Sequence, residues 1–442
     1  MEASTVTSGA GTGAPPPVYT TAERKAWTFA DYQAEPLTFF LEPYRRYGPV
    51  FQVVFDGVPT NVMAGPEANE FYMLNRELWV YRKAFAFISY VIERDLITLD
   101  GKDHAAKRQR MQPSFRHDVL QHRTADMQRA LVDLLEEVDG KEVDLRWLMN
   151  ISFFRQSSNA LGMKLPDDVF ADVLEAEQYL LEGTAYDSPD SPLAQKFSVA
   201  FERAKAKVKP YAEECLADPT SASMLAVMAR SHKPESEPNF SVDELIEDAV
   251  VLLEAGVENG AHIILWALLY LLTDRELAQR VRAELRGLAP ESELSPAEAP
   301  LLNATVLEAE RIRPPFPFLP RATVRDFELG GRRVAADQPL LHAITLVHFL
   351  EEVYPDPFSF RPERHLTIHH PAKLHAAFGM GPHRCIGLPQ ARVQAAQTIA
   401  ELMKNWNVEL LFEPSMRYRM TSAVTPIEDT LPVMVTRRRR DG

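Results

Sequence analysis

Cysteine is scarce in this sequence. Only Cys215 and Cys385 occur among 442 residues, too few for a disulfide framework. The chain also lacks any run of 18 consecutive apolar residues, and residues 1–17 contain neither a basic start nor an apolar stretch. These absences predict a cytoplasmic protein from a reducing compartment, with no signal peptide and no membrane span.

Positive charge is also in short supply. The 48 Lys and Arg residues are outnumbered by 62 Asp and Glu residues, and the formal net charge is -14. Because nucleic acid is itself a polyanion, a protein of this charge is not expected to bind it. A dinucleotide-binding fingerprint is missing too, since no Gly-x-Gly-x-x-Gly follows a strand pattern.

Neither a repeat nor a break in composition divides the chain. We predict a disordered tail over residues 1–17 and a single domain over residues 18–442. Amphipathic periodicity dominates and predicts a mainly α fold with minor β structure. The predicted helices cover 37–47, 66–76, 118–138, 144–161, 167–182, 190–216, 241–272, 275–288, 297–313 and 386–405, and the predicted strands 50–54, 59–64, 321–335 and 407–437.

The segment around the second cysteine is the most informative. Residues 378–387, Phe-Gly-Met-Gly-Pro-His-Arg-Cys-Ile-Gly, surround Cys385 with glycines, an aromatic ring and two cationic side chains. A cysteine binds metal as the thiolate, which nearby His383 and Arg384 are expected to favour. The glycines allow backbone amides to approach the sulfur and tune a metal–thiolate bond. This pattern favours a metal ligand over a small buried hydrophobe.

The same segment resembles the signature of the cytochrome P450 superfamily, Phe-Gly-x-Gly-x-(His/Arg)-x-Cys-x-Gly. The resemblance implies that Cys385 is the proximal ligand of a haem b iron, with Phe378, His383 and Gly387 as further cofactor contacts. It also implies the fold of a soluble, bacterial-type member, in which the haem lies between a long distal helix and the proximal cysteine loop. Haem–thiolate iron favours O–O cleavage, so monooxygenase activity is expected.

The predicted helix 241–272 resembles the distal helix of that family. Its family motif, (Ala/Gly)-Gly-x-(Asp/Glu)-Thr, is matched by Ala255, Gly256 and Glu258, whereas Asn259 replaces the threonine. The resemblance implies catalytic roles for these four residues. An asparagine amide can donate a hydrogen bond and hold a water, but it cannot relay a proton by rotating a hydroxyl group.

Glycine within this helix is unfavourable by about 1 kcal/mol relative to alanine. Gly256 and Gly260 therefore indicate either the close approach of a ligand or a kink. The helix is expected to start with a capping box formed by Ser241 and Glu244. Glu254 lies between this box and the glycines. It is expected to be solvated and is a weaker candidate for anchoring an amine or hydroxyl group.

Two further motifs concern the structure around the haem. Glu308 and Arg311 match the family's Glu-x-x-Arg, and the spacing places them on one helix face. The resemblance implies that Arg364 completes a structural ion-pair cluster with them. His365 departs from the family pattern, which usually has phenylalanine at this position.

Haem propionates require cationic or hydrogen-bonding partners when they are buried. His104 and Arg108 are four residues apart and resemble the family's propionate-binding pair. Arg321 matches a strand arginine with the same role, and His383 completes the predicted set.

Electrons must come from a separate protein, for which a ferredoxin or flavodoxin with its reductase is expected. A proximal basic patch would steer such an acidic partner, although scattered solvated charge explains the same residues equally well. The members of this patch would be Lys107, Arg110, Arg116, Lys373, Arg384 and Arg392.

The expected substrate is a hydrophobic small molecule, but its identity is left open by the sequence. The residues assigned to the substrate pocket are Phe85, Phe87, Leu253, Val257, Phe316, Phe318, Ala423 and Val424. Three functions remain. The first is an O2-dependent monooxygenase, the second a haem–thiolate enzyme that uses peroxide or catalyses a rearrangement or dehydration without external electrons, and the third a non-catalytic haem sensor.

Overall fold

The structure is a computed structural model that describes residues 13–22, 24–182, 190–218, 220–231, 241–288, 294–336, 338–421 and 423–438. Most of the predicted disordered tail, residues 1–12, lies outside this part of the chain. Within the rest of the tail, Ala14 forms a β-bridge with Arg332, and the Pro17 carbonyl accepts a hydrogen bond from the Gln52 amide. Residues on the N-terminal side of the predicted boundary at residue 18 therefore contact the folded domain.

Sixteen α-helices occur in the described part of the chain. In order, they are α1 Phe29–Ala34, α2 Leu41–Tyr47, α3 Gly65–Leu74, α4 Tyr81–Ala84, α5 Ala86–Val91, α6 Gly101–Met111, α7 His117–Glu137, α8 Leu145–Leu161, α9 Asp167–Glu182, α10 Pro192–Ala217, α11 Met224–Arg230, α12 Val242–Thr273, α13 Arg275–Leu285, α14 Pro300–Ile312, α15 Arg364–Thr367 and α16 Leu388–Asn405.

The strands form small sheets at the edge of this helical body. They are β1 Val50–Phe55, β2 Val58–Ala64, β3 Lys141–Asp144, β4 Leu319–Arg321, β5 Phe327–Leu329, β6 Arg332–Val334, β7 Leu340–Ala343, β8 Trp406–Leu410, β9 Tyr418–Met420, β10 Val424–Pro426 and β11 Pro432–Arg437. The largest sheet has the order β1-β2-β7-β4, in which β2 and β7 are parallel and the other pairs antiparallel.

Helix α12 is the central element, and α8, α9, α10, α14 and α16 pack against it. The Ser241 hydroxyl accepts from the Glu244 amide and the Glu244 carboxylate accepts from the Ser241 amide, so the predicted capping box starts the helix. Among the described helices, α12 alone is long and apolar enough to cross a membrane, but 67% of its apolar window is buried inside the fold. It is therefore a core helix.

The glycines of α12 have a packing role that differs from the predicted one. A Cβ atom on Gly256 would lie 2.9 Å from Cε1 of Phe153, a side chain of α8, and a Cβ atom on Gly260 would overlap the same ring more severely. The glycines thus admit the Phe153 ring and allow α8 to approach α12 closely. This packing accounts for both glycines, and the expectation that they mark ligand contact or a kink stays a prediction.

Candidate functional site

The cysteine loop lies between α15 and α16. The Cys385 amide donates to the Phe378 carbonyl over 2.9 Å, which closes the loop. Gly379 and Gly381 both have φ of 70°, a conformation that favours glycine because it has no Cβ atom. The chain then turns directly into α16, so the cysteine lies beside the amino end of that helix.

The pKa of the Cys385 thiol is raised on balance. Burial is the largest cause, and hydrogen bonds from the Gly387 and Leu388 amides and the positive charges of Arg108 and Arg384 lower the pKa in part. The sulfur is thus surrounded by protein and aimed at by two amides. Cys385 nevertheless retains solvent-accessible surface. A thiol that is surrounded by protein and still has accessible surface is expected to line a space inside the fold.

One predicted influence on the thiol is wrong. Burial, with His104 and the charges of Arg321 and Arg108, lowers the pKa of His383 to about 2. The imidazole is therefore neutral at physiological pH and contributes no positive charge to the thiolate. Arg108 and Arg384 supply the favourable charge instead.

The predicted propionate-binding residues come together next to the cysteine loop. The His383 ring stacks between the rings of Tyr81 and His104, with centroid distances of 3.3 and 3.7 Å. The guanidinium of Arg321 lies 4.7 Å from the centre of the Tyr72 ring. His104, Arg108 and Gly381 also line one open cavity of about 540 Å³.

These residues fit a group that carries carboxylates. His104 Nε2 and Arg321 Nε are buried and have no hydrogen-bond partner among the described residues. A buried polar group without a partner is unfavourable by about 1–3 kcal/mol, so such atoms indicate a missing ligand. Arg108 lies beside them, and burial and the charge of Arg384 lower its pKa. Together these residues offer cationic and hydrogen-bonding groups suited to two propionates.

The distal motif occupies the middle of α12. Ala255 is exposed although the surrounding helix is largely buried, so this turn borders a space inside the fold. The Asn259 side-chain nitrogen donates to the Ala255 carbonyl over 3.1 Å and to Glu177 Oε1 over 3.3 Å. Glu177 Oε2 in turn accepts from the Glu258 backbone amide over 3.1 Å.

Glu177 is a functional candidate that the sequence analysis missed. Burial raises its pKa well above the ordinary value, and the charges of Glu258 and Glu254 raise it further. The hydrogen bond from the Glu258 amide lowers the pKa in part. A signal for it exists in the sequence, because Glu177 shares an i, i+3, i+7 stripe with Phe170 and Val173 on α9. An acid in an apolar stripe is a departure that invites a functional explanation.

Glu254 is buried, contrary to the expectation that it is solvated. It is 2% exposed, and its Oε1 atom has no hydrogen-bond partner among the described residues. Burial and the charge of Asp95 raise its pKa well above the ordinary value. Burial therefore favours the neutral form of this acid.

The Glu308 carboxylate stands at the centre of the predicted structural cluster. It pairs with Arg311 over 2.8 Å and with Arg364 over 3.0 Å. His365, which departs from the family pattern, lies 2.8 Å from the same carboxylate. The imidazole thus adds a polar contact where phenylalanine would add only an apolar one.

The proximal basic patch is wrong in two of its members. Lys107 is buried, lies 2.5 Å from Asp248 and donates to the Arg94 carbonyl. Arg110 is buried as well. Neither residue can present charge to a docking protein, whereas Arg116 and Arg384 are exposed.

The residues assigned to the substrate pocket do not form one group. Phe85, Phe87, Leu253 and Val257 belong to the main core, but Phe318 and Val424 pack in a second core with Tyr32. Leu253, Val257, Ala423 and Val424 have no accessible surface, so they face packed protein. Phe85, Phe316 and Phe318 are half-buried and remain the accessible members of the set.

Comparison with known proteins identifies relatives that align with most of the chain. The sequence model of the family described as Cytochrome P450 matches residues 26–431. Cyclooctat-9-en-7-ol 5-monooxygenase of Streptomyces melanosporofaciens is 25% identical over 84% of this chain and 84% of its own. Putative cytochrome P450 139 of Mycobacterium tuberculosis is 27% identical over 85% of this chain and 92% of its own.

Solved structures show the same fold. Retinoic acid-bound cyanobacterial CYP120A1 has a TM-score of 0.82 and 21% sequence identity, covering 97% of this chain and all of the other. The haem domain of cytochrome P450DA has a TM-score of 0.81 and 17% identity over 97% of this chain. The prediction of a mainly α cytochrome P450 fold is confirmed.

Proposed function

The chain belongs to the cytochrome P450 family and is an oxidoreductase of the monooxygenase type, and from this premise we propose its reaction, cofactor and partners. The proposed reaction inserts one oxygen atom from O2 into a hydrophobic organic substrate, with electrons from a separate ferredoxin-type protein. A single catalytic domain over residues 18–442 in the cytoplasm would carry it out.

The observation that supports this proposal best is the cysteine loop. Its thiol lines an interior space, receives two backbone amides and lies beside two arginines. These features suit a thiolate that binds haem iron, and thiolate-bound haem supplies O–O cleavage chemistry. We propose haem b as the cofactor, and the propionate-binding groups match the two carboxylates that it carries.

Specific residues would hold the haem. Cys385 would bind the iron, while Phe378 and Gly387 would contact the macrocycle beside the loop. His104, Arg108, Arg321 and His383 would take the propionates, with His383 acting as a neutral hydrogen-bonding group.

On the other side, Ala255, Gly256, Glu258 and Asn259 would form the distal wall. Ala255 borders the interior space and leaves room for a ligand because its side chain is small. Glu258 would supply a titratable group, and Asn259 would hold a water or the substrate. Gly256 would act indirectly, since it sets how closely α8 approaches this turn.

A separate electron donor is proposed because the sequence has no dinucleotide-binding fingerprint. An acidic ferredoxin or flavodoxin, with its reductase, would be attracted by exposed Arg116 and Arg384 on a protein that is otherwise acidic. Weaker reduction at high salt would be the signature of this attraction.

Turnover with a surrogate ferredoxin and reductase tests the proposal. Hydrophobic compounds would first be screened by the shift of the haem absorption band, and the hits incubated with NADPH and O2. Oxygenated product that depends on both reagents is expected. Product formed equally well without NADPH and the donor would contradict the proposed reaction.

A second candidate function is favoured by one observation. The Asn259 nitrogen is already engaged by Glu177 and the Ala255 carbonyl, so the usual hydroxyl donor of the distal motif has no direct replacement. A haem–thiolate enzyme that uses hydrogen peroxide, or that catalyses a rearrangement or dehydration, has less need of that donor. The NADPH omission experiment separates the two candidates.

A further inference from the structure

The Asn259 amide has an unusual distribution of hydrogen bonds. Its nitrogen carries two hydrogens, and the two acceptors within reach are the Ala255 carbonyl at 3.1 Å and Glu177 Oε1 at 3.3 Å. Its oxygen is buried and has no donor among the described residues. Both hydrogens of the amide are therefore engaged, and its buried oxygen is left as an acceptor without a donor among the described residues.

Glu177 fixes this orientation from a different helix. Its carboxyl group is 1% exposed, and it bridges the Asn259 side chain and the Glu258 backbone amide. One acid of α9 therefore contacts both polar positions of the distal motif.

The charge state of Glu177 decides which end of the amide it can bind. A carboxylate only accepts hydrogen bonds, so it binds the Asn259 nitrogen. A carboxylic acid also donates, and its O–H can bind the Asn259 oxygen once the planar amide has rotated, a rotation that gives up the hydrogen bond to the Ala255 carbonyl. That rotation would turn the NH2 group of Asn259 toward the space on the other side of α12.

We propose that Glu177 is a positioning residue whose protonation selects whether Asn259 presents an acceptor or a donor to the haem side of α12. The inference rests on the proposed function, which places the haem on that side. In relatives with threonine a hydroxyl group offers both roles, whereas here an amide and a buried acid would share them.

The charges around Glu177 support a protonated form at accessible pH. Glu254 and Glu258 of α12 both disfavour its ionisation, after burial. On the neighbouring helix α10, Arg203 and Lys207 bind Asp172 of α9, and Lys196 lies over the Tyr179 ring. Arg155 of α8 is paired with acids at the start of α9 and the end of α7.

A spectroscopic experiment tests the inference without turnover. Haem-loaded protein labelled with 15N-asparagine would be measured by NMR as the diamagnetic reduced carbon monoxide complex. The side-chain amide signal of Asn259, assigned by its loss in Asn259→Thr, should move between about pH 5 and about pH 9, where buried glutamates titrate. In Glu177→Gln the signal should not move, because glutamine does not ionise.

Glu175→Gln is the matched control. Glu175 lies on the same helix but is partly exposed and paired with Arg203, so the Asn259 signal should titrate as in the wild type. An Asn259 signal that stays fixed in the wild type, or that titrates unchanged in Glu177→Gln, would overturn the proposal.

A functional measurement adds a prediction that a purely structural role would not give. The fraction of electrons lost as hydrogen peroxide should depend on pH in the wild type. In Glu177→Gln this fraction should change by about twofold or more, which corresponds to the lower end of the coupling free energies found between residues in contact. In an Asn259→Thr background, which restores the hydroxyl group, Glu177→Gln should have no further effect. An equal effect in both backgrounds would contradict the proposal.

Two safeguards keep the outcome clear. If Glu177→Gln does not fold, infrared spectroscopy can follow the carbonyl band of protonated Glu177. This band should shift in Asn259→Leu, because the amide is removed. An unshifted band would contradict the contact between Glu177 and Asn259. A protein that shows the titrating amide but no NADPH-dependent product would support the inference and refute the proposed reaction.

Discussion

Arg311 and Glu308 form two parallel hydrogen bonds of 2.8 Å each inside the protein, and neither side chain is exposed to solvent. The remaining nitrogen of Arg311, Nη1, donates to both the His348 and the Pro357 carbonyls at 2.8 Å. These carbonyls belong to the segment between β7 and α15. The pair therefore connects α14 to the chain that leads into the cysteine loop.

Removal of the Glu308 carboxylate should be strongly destabilising. In Glu308→Ala the Arg311 charge stays buried without its partner, which typically lowers the free energy of unfolding by about 3–5 kcal/mol. Denaturant unfolding and haem retention measure the effect. Glu363→Ala is the control, because its exposed pair with Arg280 should contribute about 1 kcal/mol or less. Equal stability of the two variants would show that the buried pair is unimportant.

Acid should destabilise the protein through two buried carboxylates. Burial alone would raise the pKa of Glu308, but hydrogen bonds from Arg311 and His365 lower it from 4.5 to about 2. The Arg392 charge and the His375 hydrogen bond do the same for Glu310. A lowered pKa means that this stabilisation is fully present above about pH 4.5 and is lost as the pH falls toward about 2.

The pH dependence of unfolding checks this prediction. Between these two pH values the free energy of unfolding should fall steeply in the wild type, because the unfolded state takes up both protons first. Glu310→Gln should be less stable at neutral pH and should show a shallower fall. A slope unchanged by this substitution would mean that Glu310 does not titrate in that range.

Close packing of α8 on α12 should make Gly260 intolerant of a side chain. Alanine favours a helix by about 1 kcal/mol over glycine, so Gly260→Ala would be stabilising on an exposed face. Here the new methyl group overlaps the Phe153 ring, and overpacking typically costs about 1–3 kcal/mol. Thermal unfolding should show net destabilisation that Phe153→Leu partly reverses. A more stable Gly260→Ala protein would contradict the packing.

Long periodic helices were predictable from the sequence, and short or non-local elements were not. The prediction of 167–182 agrees with α9, and 118–138 agrees with α7 within one residue. Helices α4 and α11 have four and seven residues, too few turns for a periodic signal. Strand β7 pairs with the distant β2, and such a contact leaves no local pattern.

The site divides along the same lines. Cys385 and its glycines are contiguous, so a motif reveals them, and chemistry explains why those residue types occur together. Glu177 reaches Asn259 across 82 positions in sequence, and only the packing of α9 on α12 brings them together. The lowered pKa of His383 was equally hidden, since it follows from burial and from the nearby His104, Arg321 and Arg108.

Replacement of Cys385 should abolish thiolate ligation. The reduced carbon monoxide complex of the wild type should show the strongly red-shifted Soret band of a haem–thiolate protein, and Cys385→Ala should lose it. Cys385→His should give a globin-like spectrum, because imidazole then binds the iron. Cys215→Ala is the control, since that buried thiol packs between Leu161 and Ser223 and should leave the band unchanged. A thiolate-type band in Cys385→Ala would refute the assignment.

The distal motif should control how efficiently electrons yield product. Threonine both donates and accepts through one hydroxyl group, so Asn259→Thr should keep the rate within about tenfold, a barrier change of about 1.4 kcal/mol. Asn259→Ala removes both polar atoms and leaves Glu177 without the amide it binds, so a larger share of electrons should appear as hydrogen peroxide. Glu258→Gln should raise that share as well, because a titratable group is lost. Product formed per NADPH on one good substrate is the measurement. If Asn259→Ala and Glu258→Gln both keep the wild-type ratio, neither side chain handles protons, and the catalytic role proposed for this turn of α12 is incorrect.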